Sequence, residues 1–158
     1  MYAENRLQFL KNTLASIVFL LGSLVIYGWF FNIAVLKSIM PDYISMKFNT
    51  ALCFIFLSIS LLVKSKGSKK ITFLQVFLNS IVILISILSY TQELFHKDFG
   101  IDQLIIIDNT AKEANEPFPG RMSPITAILF IVIAVSLLLI KFMSKLRYVQ
   151  YALHAVTL

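Results

Sequence analysis

The chain reads as four apolar runs separated by polar connections. Leu14 to Ile33 carries no acidic or basic side chain, and about 20 such residues cross hydrocarbon with every backbone hydrogen bond closed inside one helix. Its end, with Tyr27, Trp29, Phe30 and Phe31, suits a membrane interface. Asn32 to Lys47 is a connection with Pro41-Asp42 marking a turn. Phe48 to Val63 is a second, short run between Lys47 and Lys64, whose side chains can reach the headgroups. A basic loop, Lys64-Ser65-Lys66-Gly67-Ser68-Lys69-Lys70, leads to a third run, Ile71 to Tyr90. The long connection Thr91 to Arg121 carries six carboxylates and ends in Pro117-Phe118-Pro119-Gly120. Ser123-Pro124 predicts an N-cap with proline at the first helical position, and the fourth helix runs from there to about Phe142.

One stretch occurs twice. Residues 46–62, beginning Met46-Lys47-Phe48-Asn49-Thr50-Ala51, return 76 positions later as residues 122–138, beginning Met122-Ser123-Pro124-Ile125-Thr126-Ala127, with 8 of 17 positions identical. Isoleucine and leucine matches between apolar helices mean little, but Met-x-x-x-Thr-Ala-x-x-Phe in register with a distant serine points to a duplication. The expected fold is therefore an all-α integral membrane protein: a single membrane domain, 1–158, of four transmembrane helices in two tandem hairpins, about 12–64 and 71–144. Both hairpins run out and back in the same sense, as parallel repeats about an axis along the membrane normal. Residues 145–158 are apolar and too short to span; they predict a truncated fifth helix or an interfacial one.

Composition changes this picture little. At 58% hydrophobic and 14% charged the chain is too apolar for a soluble core of its length. The net charge of +6 comes from short clusters between apolar runs, a topology signal and not a nucleic-acid footprint. Nine lysines and arginines against Glu4 fall on the side of the termini and the middle loop; five against seven carboxylates fall on the other. The positive side is expected to be cytoplasmic, with both termini. Arg6 and Lys11 before a long first run, with no small-x-small cleavage pattern after it, read as an anchor that stays and not a signal peptide.

Candidate chemistry is sparse. Helical projection places Gln75, Asn79, Ser86, Tyr90 and Glu93 on one face of the third helix, Asn49, Cys53 and Ser60 on one face of the second, and Ser16, Ser23 and Tyr27 on one face of the first. Such stripes pack helices in lipid, or they line a polar cavity open to the outer face. Asn49, Thr50 and Thr126 sit at outward-facing helix starts, where capping and the binding of an anion are both open. In the outer connection Gly100, Asp102 and Gln103 form a motif whose Asp102 is expected to face a partner on the outer surface, and Arg121 is expected to pair with a loop carboxylate. His96 and His154 fall on opposite sides of the membrane, and Cys53 is a lone cysteine, so no metal site, disulfide or cofactor is expected. No phosphate-binding loop, activated nucleophile or kinase signature is present, which predicts a non-catalytic chain.

Gly28-Trp29, Ala34-Val35-Leu36-Lys37-Ser38-Ile39, Met46 to Phe54, Gly100 to Leu104 and Pro119 to Pro124 together resemble the multi-helix N-terminal membrane sensor regions of bacterial signalling proteins. The resemblance covers residue 14 to the end. It departs where a fifth helix would begin and at Ile125, where the repeat usually has a polar residue. It implies a sensory or anchoring input module ahead of PAS, histidine-kinase or diguanylate-cyclase domains, in a bacterial cytoplasmic membrane, with homodimerisation and a cytoplasmic output domain if the chain is a fragment. A stand-alone membrane scaffold and an oligomeric transporter or channel are the alternatives. Against the latter, no ionisable group lies within the four runs.

Overall fold

The computed structural model describes residues 2–38, 45–63, 68–109, 111 and 117–156, of which 2–4 and 143–156 are described by their backbone alone. The turn expected at Pro41-Asp42, residues 64–67 of the basic loop, and Lys112, Glu113 and Glu116 lie outside the described residues, as does the His154 side chain. Among the described residues the elements are all helical: α1 Tyr2–Phe30, α2 Ala34–Lys37, α3 Phe48–Leu62, α4 Lys69–Leu94 and α5 Pro124–Val156. Three contain segments long and apolar enough to cross a membrane, Asn5–Phe30, Lys69–Leu94 and Pro124–Phe142. At 15 residues, α3 is shorter, about 22 Å against a hydrocarbon core of about 30 Å.

Each long helix outruns the apolar stretch that predicted it. α1 reaches back to Tyr2 because Glu4, Arg6, Gln8 and Lys11 are good helix formers, with no Gly or Pro among them; Gln8 also donates to the Asn12 side chain at 3.3 Å. It ends at Asn32, whose φ of 52° is the left-handed conformation asparagine tolerates. α4 runs one turn past Tyr90, then closes with His96 at φ 49° and the Lys97 N–H on the Gln92 carbonyl, the pattern of a Schellman cap. The end expected near Phe142 is absent: α5 continues to Val156, since neither Gly nor Pro interrupts residues 125–156. Residues 145–156 therefore extend α5 instead of starting a separate helix.

α1 packs along α3, α4 along α5, and α3 against α4, whereas α1 and α5 do not pack on each other among the described residues. Lipid tails are as apolar as leucine, so these contacts depend on close packing of small residues. Ala51, Cys53, Ser58, Ser86, Ala127 and Ala134 are all buried at these contacts. Residues 46–62 and 122–138 meet there too: Phe54 and Phe130, which fall at matching positions of the two stretches, pack edge to face with ring centroids 4.9 Å apart. Trp29 and Val25 pack with Phe48 and Ala51 near the C-terminal end of α1, and the Trp29 indole N–H donates to the Met46 carbonyl at 2.9 Å.

Gly22 sets the α1–α3 distance. A Cβ there would lie 3.0 Å from Ile55 Cγ1 and 3.1 Å from the Ala51 carbonyl oxygen. Gly22→Leu is expected to force the two helices apart and cost about 1–3 kcal/mol, read as a lower midpoint of thermal unfolding in detergent, while Leu20→Ala on the exposed face leaves the midpoint unchanged.

Candidate functional site

The helix ends beside the α4–α5 connection are tied together by buried charges. Arg121 is only 7% exposed, and each of its three side-chain nitrogens donates a hydrogen bond: Nε to Asp102 Oδ2 at 3.0 Å, Nη1 to Glu93 Oε2 at 3.4 Å, and Nη2 to the Lys97 carbonyl at 2.9 Å. Its guanidinium lies 3.8 Å from the Phe118 ring centroid. Asp102 Oδ2 also accepts from Gln92 Nε2 at 2.8 Å, and Gln92 Oε1 accepts the Phe99 N–H. The backbone approaches closely at Gly120, where φ is 80° and a Cβ would lie 2.8 Å from the Asp102 carbonyl oxygen. Only glycine fits both demands.

A second buried pair, Lys47 Nζ to Asp108 Oδ2 at 3.0 Å, joins the same connection to the start of α3. Asp108 Oδ1 accepts the Ala111 N–H, and Gln103 Oε1 accepts the Asp108 N–H. Asn49, at the start of α3, donates to the Ile101 carbonyl at 3.1 Å. The segment after α4 is thus fastened to α3 through Lys47 and Asn49, to α4 through Gln92 and Glu93, and to the entry of α5 through Arg121. Gly100 is exposed, with φ 73° and its N–H on Asp98 Oδ1.

Asp102 does not face an outer partner, as its place in an exposed motif suggested. It is 5% exposed, turned inward by Arg121 and Gln92, and its Oδ1 is buried with no hydrogen-bond partner. Burial pushes its carboxyl above the usual range, aided by the Asp98 charge and opposed by the hydrogen bond and charge of Arg121 and by the Gln92 hydrogen bond. Burial outweighs the ion pair because one carboxylate oxygen has lost water and gained nothing.

The polar stripe of α4 packs against its neighbours. Gln75 Nε2 donates to the Ser60 and Val63 carbonyls at 2.9 and 2.7 Å, and Asn79 Nδ2 to Ser60 Oγ and to the Gln75 carbonyl, both at 2.7 Å. Lys141 of α5 donates to Gln75 Oε1, and Lys11 of α1 to the Leu61 carbonyl at 2.9 Å. Ser86 is buried against Cys53, and Tyr90 packs on the core. On α1, Ser16 and Tyr27 are exposed and Ser23 bonds the Phe19 carbonyl.

None of these stripe residues lines the main cavity considered for ligand binding. That cavity, of about 820 Å³, lies between the C-terminal half of α1 and the start of α5, within the usual size range of small-molecule sites, about 300–1,000 Å³. Leu21, Leu24 and Val25 of α1 form an apolar wall, and Lys37, Lys47, Thr50, Arg121, Ser123 and Thr126 supply polar groups. Thr126 and Ser123 share a 2.8 Å hydroxyl contact, and Ser123 Oγ accepts the Thr126 N–H at 3.2 Å, capping α5. Sequence reasoning brought Thr50, Thr126 and Arg121 forward but missed Lys37, Lys47, Gln92 and Asp108. A lysine at the last residue of a connection reads as a snorkelling flank, and Asp108 is one acid among six. No group of three or more His, Cys, Asp or Glu able to hold a metal ion occurs among the described residues.

Comparison with known proteins returns no match to a family model, none among curated proteins and none among solved structures.

The Asp102 carboxyl holds its proton more tightly in the folded chain than in the unfolded one. Its stabilising contribution is complete below the unfolded carboxylate pKa of roughly 4 and is lost as pH rises through the higher folded value. The stability of the native chain relative to Asp102→Asn is therefore expected to fall as pH is raised from that range, measured by thermal unfolding of both in one detergent. A difference that grows with pH would show that Arg121 outweighs burial.

Proposed function

We propose that the chain is the membrane-embedded input module of a bacterial signal-transduction protein, non-catalytic in itself, with the outer cavity as its receiving site. In this reading all four apolar helices cross the cytoplasmic membrane as two tandem hairpins related by duplication, and both termini are cytoplasmic. The charge asymmetry of the connections supports that orientation, and the resemblance in the Gly28-Trp29, Met46 to Phe54 and Pro119 to Pro124 motifs supports the signalling role.

The observation that carries the proposal is the pairing of the cavity with α5. The cavity is lined by α1, α2, the start of α3 and the start of α5, so its occupant touches both hairpins where α1 and α5 do not touch each other. α5 then runs 33 residues without a break, about 50 Å, longer than the hydrocarbon core. A displacement at its outer end is delivered to the opposite side of the membrane along a single helix. An occupant acts by binding one arrangement of α1 and α5 better than another.

Two measurements test this on the full chain in lipid nanodiscs or cells. A membrane-impermeant maleimide applied to intact cells is expected to label Asp98→Cys and not Ser68→Cys, in a Cys53→Ala background; the reverse pattern inverts the topology. Filling the cavity with Thr126→Phe is expected to move the inner end of α5 relative to α1 by about 1–2 Å, the scale of helix shifts in switching proteins. Dipolar spectroscopy between spin labels at positions 10 and 142 reads that movement. An unchanged distance distribution would sink the input-module reading.

A further inference from the structure

Lys37 is the group whose surroundings are incomplete. It is 7% exposed, its ammonium is 2.9 Å from Asn32 Oδ1 and 4.8 Å from the Trp29 ring centroid, and no carboxylate among the described residues pairs with it. A buried cation satisfied by an amide and an aromatic face, without a counter-charge, is costly to hold. Lys37 lines the 820 Å³ cavity and also a neighbouring one of about 520 Å³ that includes Trp29 and Asn32.

The rest of the cavity has the same polarity. Lys47 and Arg121 line it, while the carboxylates that hold them, Asp108, Asp102 and Glu93, do not. Each ion pair therefore places its cationic residue, and not its carboxylate, at the border of the cavity. The Ser123 and Thr126 hydroxyls lie at the start of α5, where the helix dipole adds the same sign. The polar groups sit together at the outer end, and the apolar wall runs inward from Val25 to Leu21 along α1. Leu21 and Leu24 are 55% and 48% exposed, so the wall is continuous with the lipid-facing side of the helix. An occupant can enter sideways from the bilayer, its tail along the leucines and its head at the lysine.

We propose that this cavity binds an anionic phospholipid of the outer leaflet, its headgroup phosphate at Lys37 and one acyl chain along Leu21, Leu24 and Val25. The assignment rests on the input-module reading for its orientation, and it names the class of molecule that the receiving site takes.

The molecule carries its own reporter, because Trp29 is the chain's single tryptophan and lies against Lys37. The full chain is placed in nanodiscs of zwitterionic lipid doped with a small fraction of phosphatidylglycerol brominated on its acyl chains, or with phosphatidylcholine brominated in the same way, and Trp29 quenching is compared. Quenching by the anionic lipid is expected to exceed that by the zwitterionic one roughly fivefold, the effect expected of one lysine at an anionic surface. Lys37→Gln is expected to abolish the preference and Lys37→Arg to keep it, which separates loss of charge from loss of fold. Equal quenching by the two lipids in the native chain, or a preference that survives Lys37→Gln, would overturn the proposal. Preference for a brominated fatty acid with none for phosphatidylglycerol would also overturn it, assigning the site to a free carboxylate amphiphile. A shift of α5 on Thr126→Phe without any lipid preference would remove this ligand and leave the input module standing.

Discussion

The rest of the structure depends on how the ends of α3 are satisfied. A helix leaves its first N–H and last C=O groups unpaired, and in hydrocarbon each such group costs several kcal/mol. α3 is too short to carry both ends into water, so neighbouring helices supply the partners. At its C-terminal end, Lys11 of α1 and Gln75 of α4 donate to the Leu61, Ser60 and Val63 carbonyls, and Lys141 of α5 fixes Gln75 from behind. One amide and two lysines thus join all four long and short apolar helices around a single helix terminus. The cations are also well placed against the negative end of the α3 dipole.

The N-terminal end of α3 uses a different solution with the same effect. There the chain must connect α4 to α5 over about 30 residues, and surface ion pairs of the kind seen on soluble proteins contribute little to holding such a segment. The pairs here are buried: Arg121 and Asp102 each expose less than a tenth of their surface, as do Lys47 and Asp108. Burial makes the pairs expensive to form and more expensive to break, because removing one partner strands the other. Arg121 offsets this by using several donors on two carboxylates and a carbonyl. Asp102 meets the demand only in part, with Oδ2 doubly bonded and Oδ1 empty-handed, which is why its carboxyl titrates high.

Much of the architecture was legible in the alternation of apolar and polar runs, since crossing hydrocarbon imposes length and composition on a helix directly. Ser123-Pro124 announced the start of α5, because capping is local chemistry. Helix ends were less readable: α5 passes through Lys141, Lys145 and Arg147 because charged residues at a membrane boundary are as helix-compatible as those before them. The polar stripe was visible as a face, and Gln75 and Asn79 lie on it, but periodicity tells which residues share a face and not what lies opposite. A carbonyl at the end of another helix, such as that of Val63, leaves no trace in sequence. Arg121 was recognisable as a cation among loop carboxylates. Which of them it would meet depends on Gly120 allowing the backbone to pass within contact of Asp102, a three-dimensional condition.

The gap between α1 and α5 is itself a consequence of the solvent. In a water-soluble protein an apolar gap beside buried cations would collapse, because removing its surface from water is favourable. Inside a bilayer that drive is missing: lipid tails solvate Leu21 and Leu24 as well as another helix would, so a gap there is no penalty if a tail fills it. The polar end of the gap is a different matter, since Lys37 gains nothing from hydrocarbon and its present partners leave its charge uncompensated. The two halves of the cavity therefore ask for different things from one occupant, a chain at one end and an anion at the other. A molecule that meets both would be fixed in depth and orientation, and in the proposed reading that fixed placement is what would set the spacing of α1 from α5.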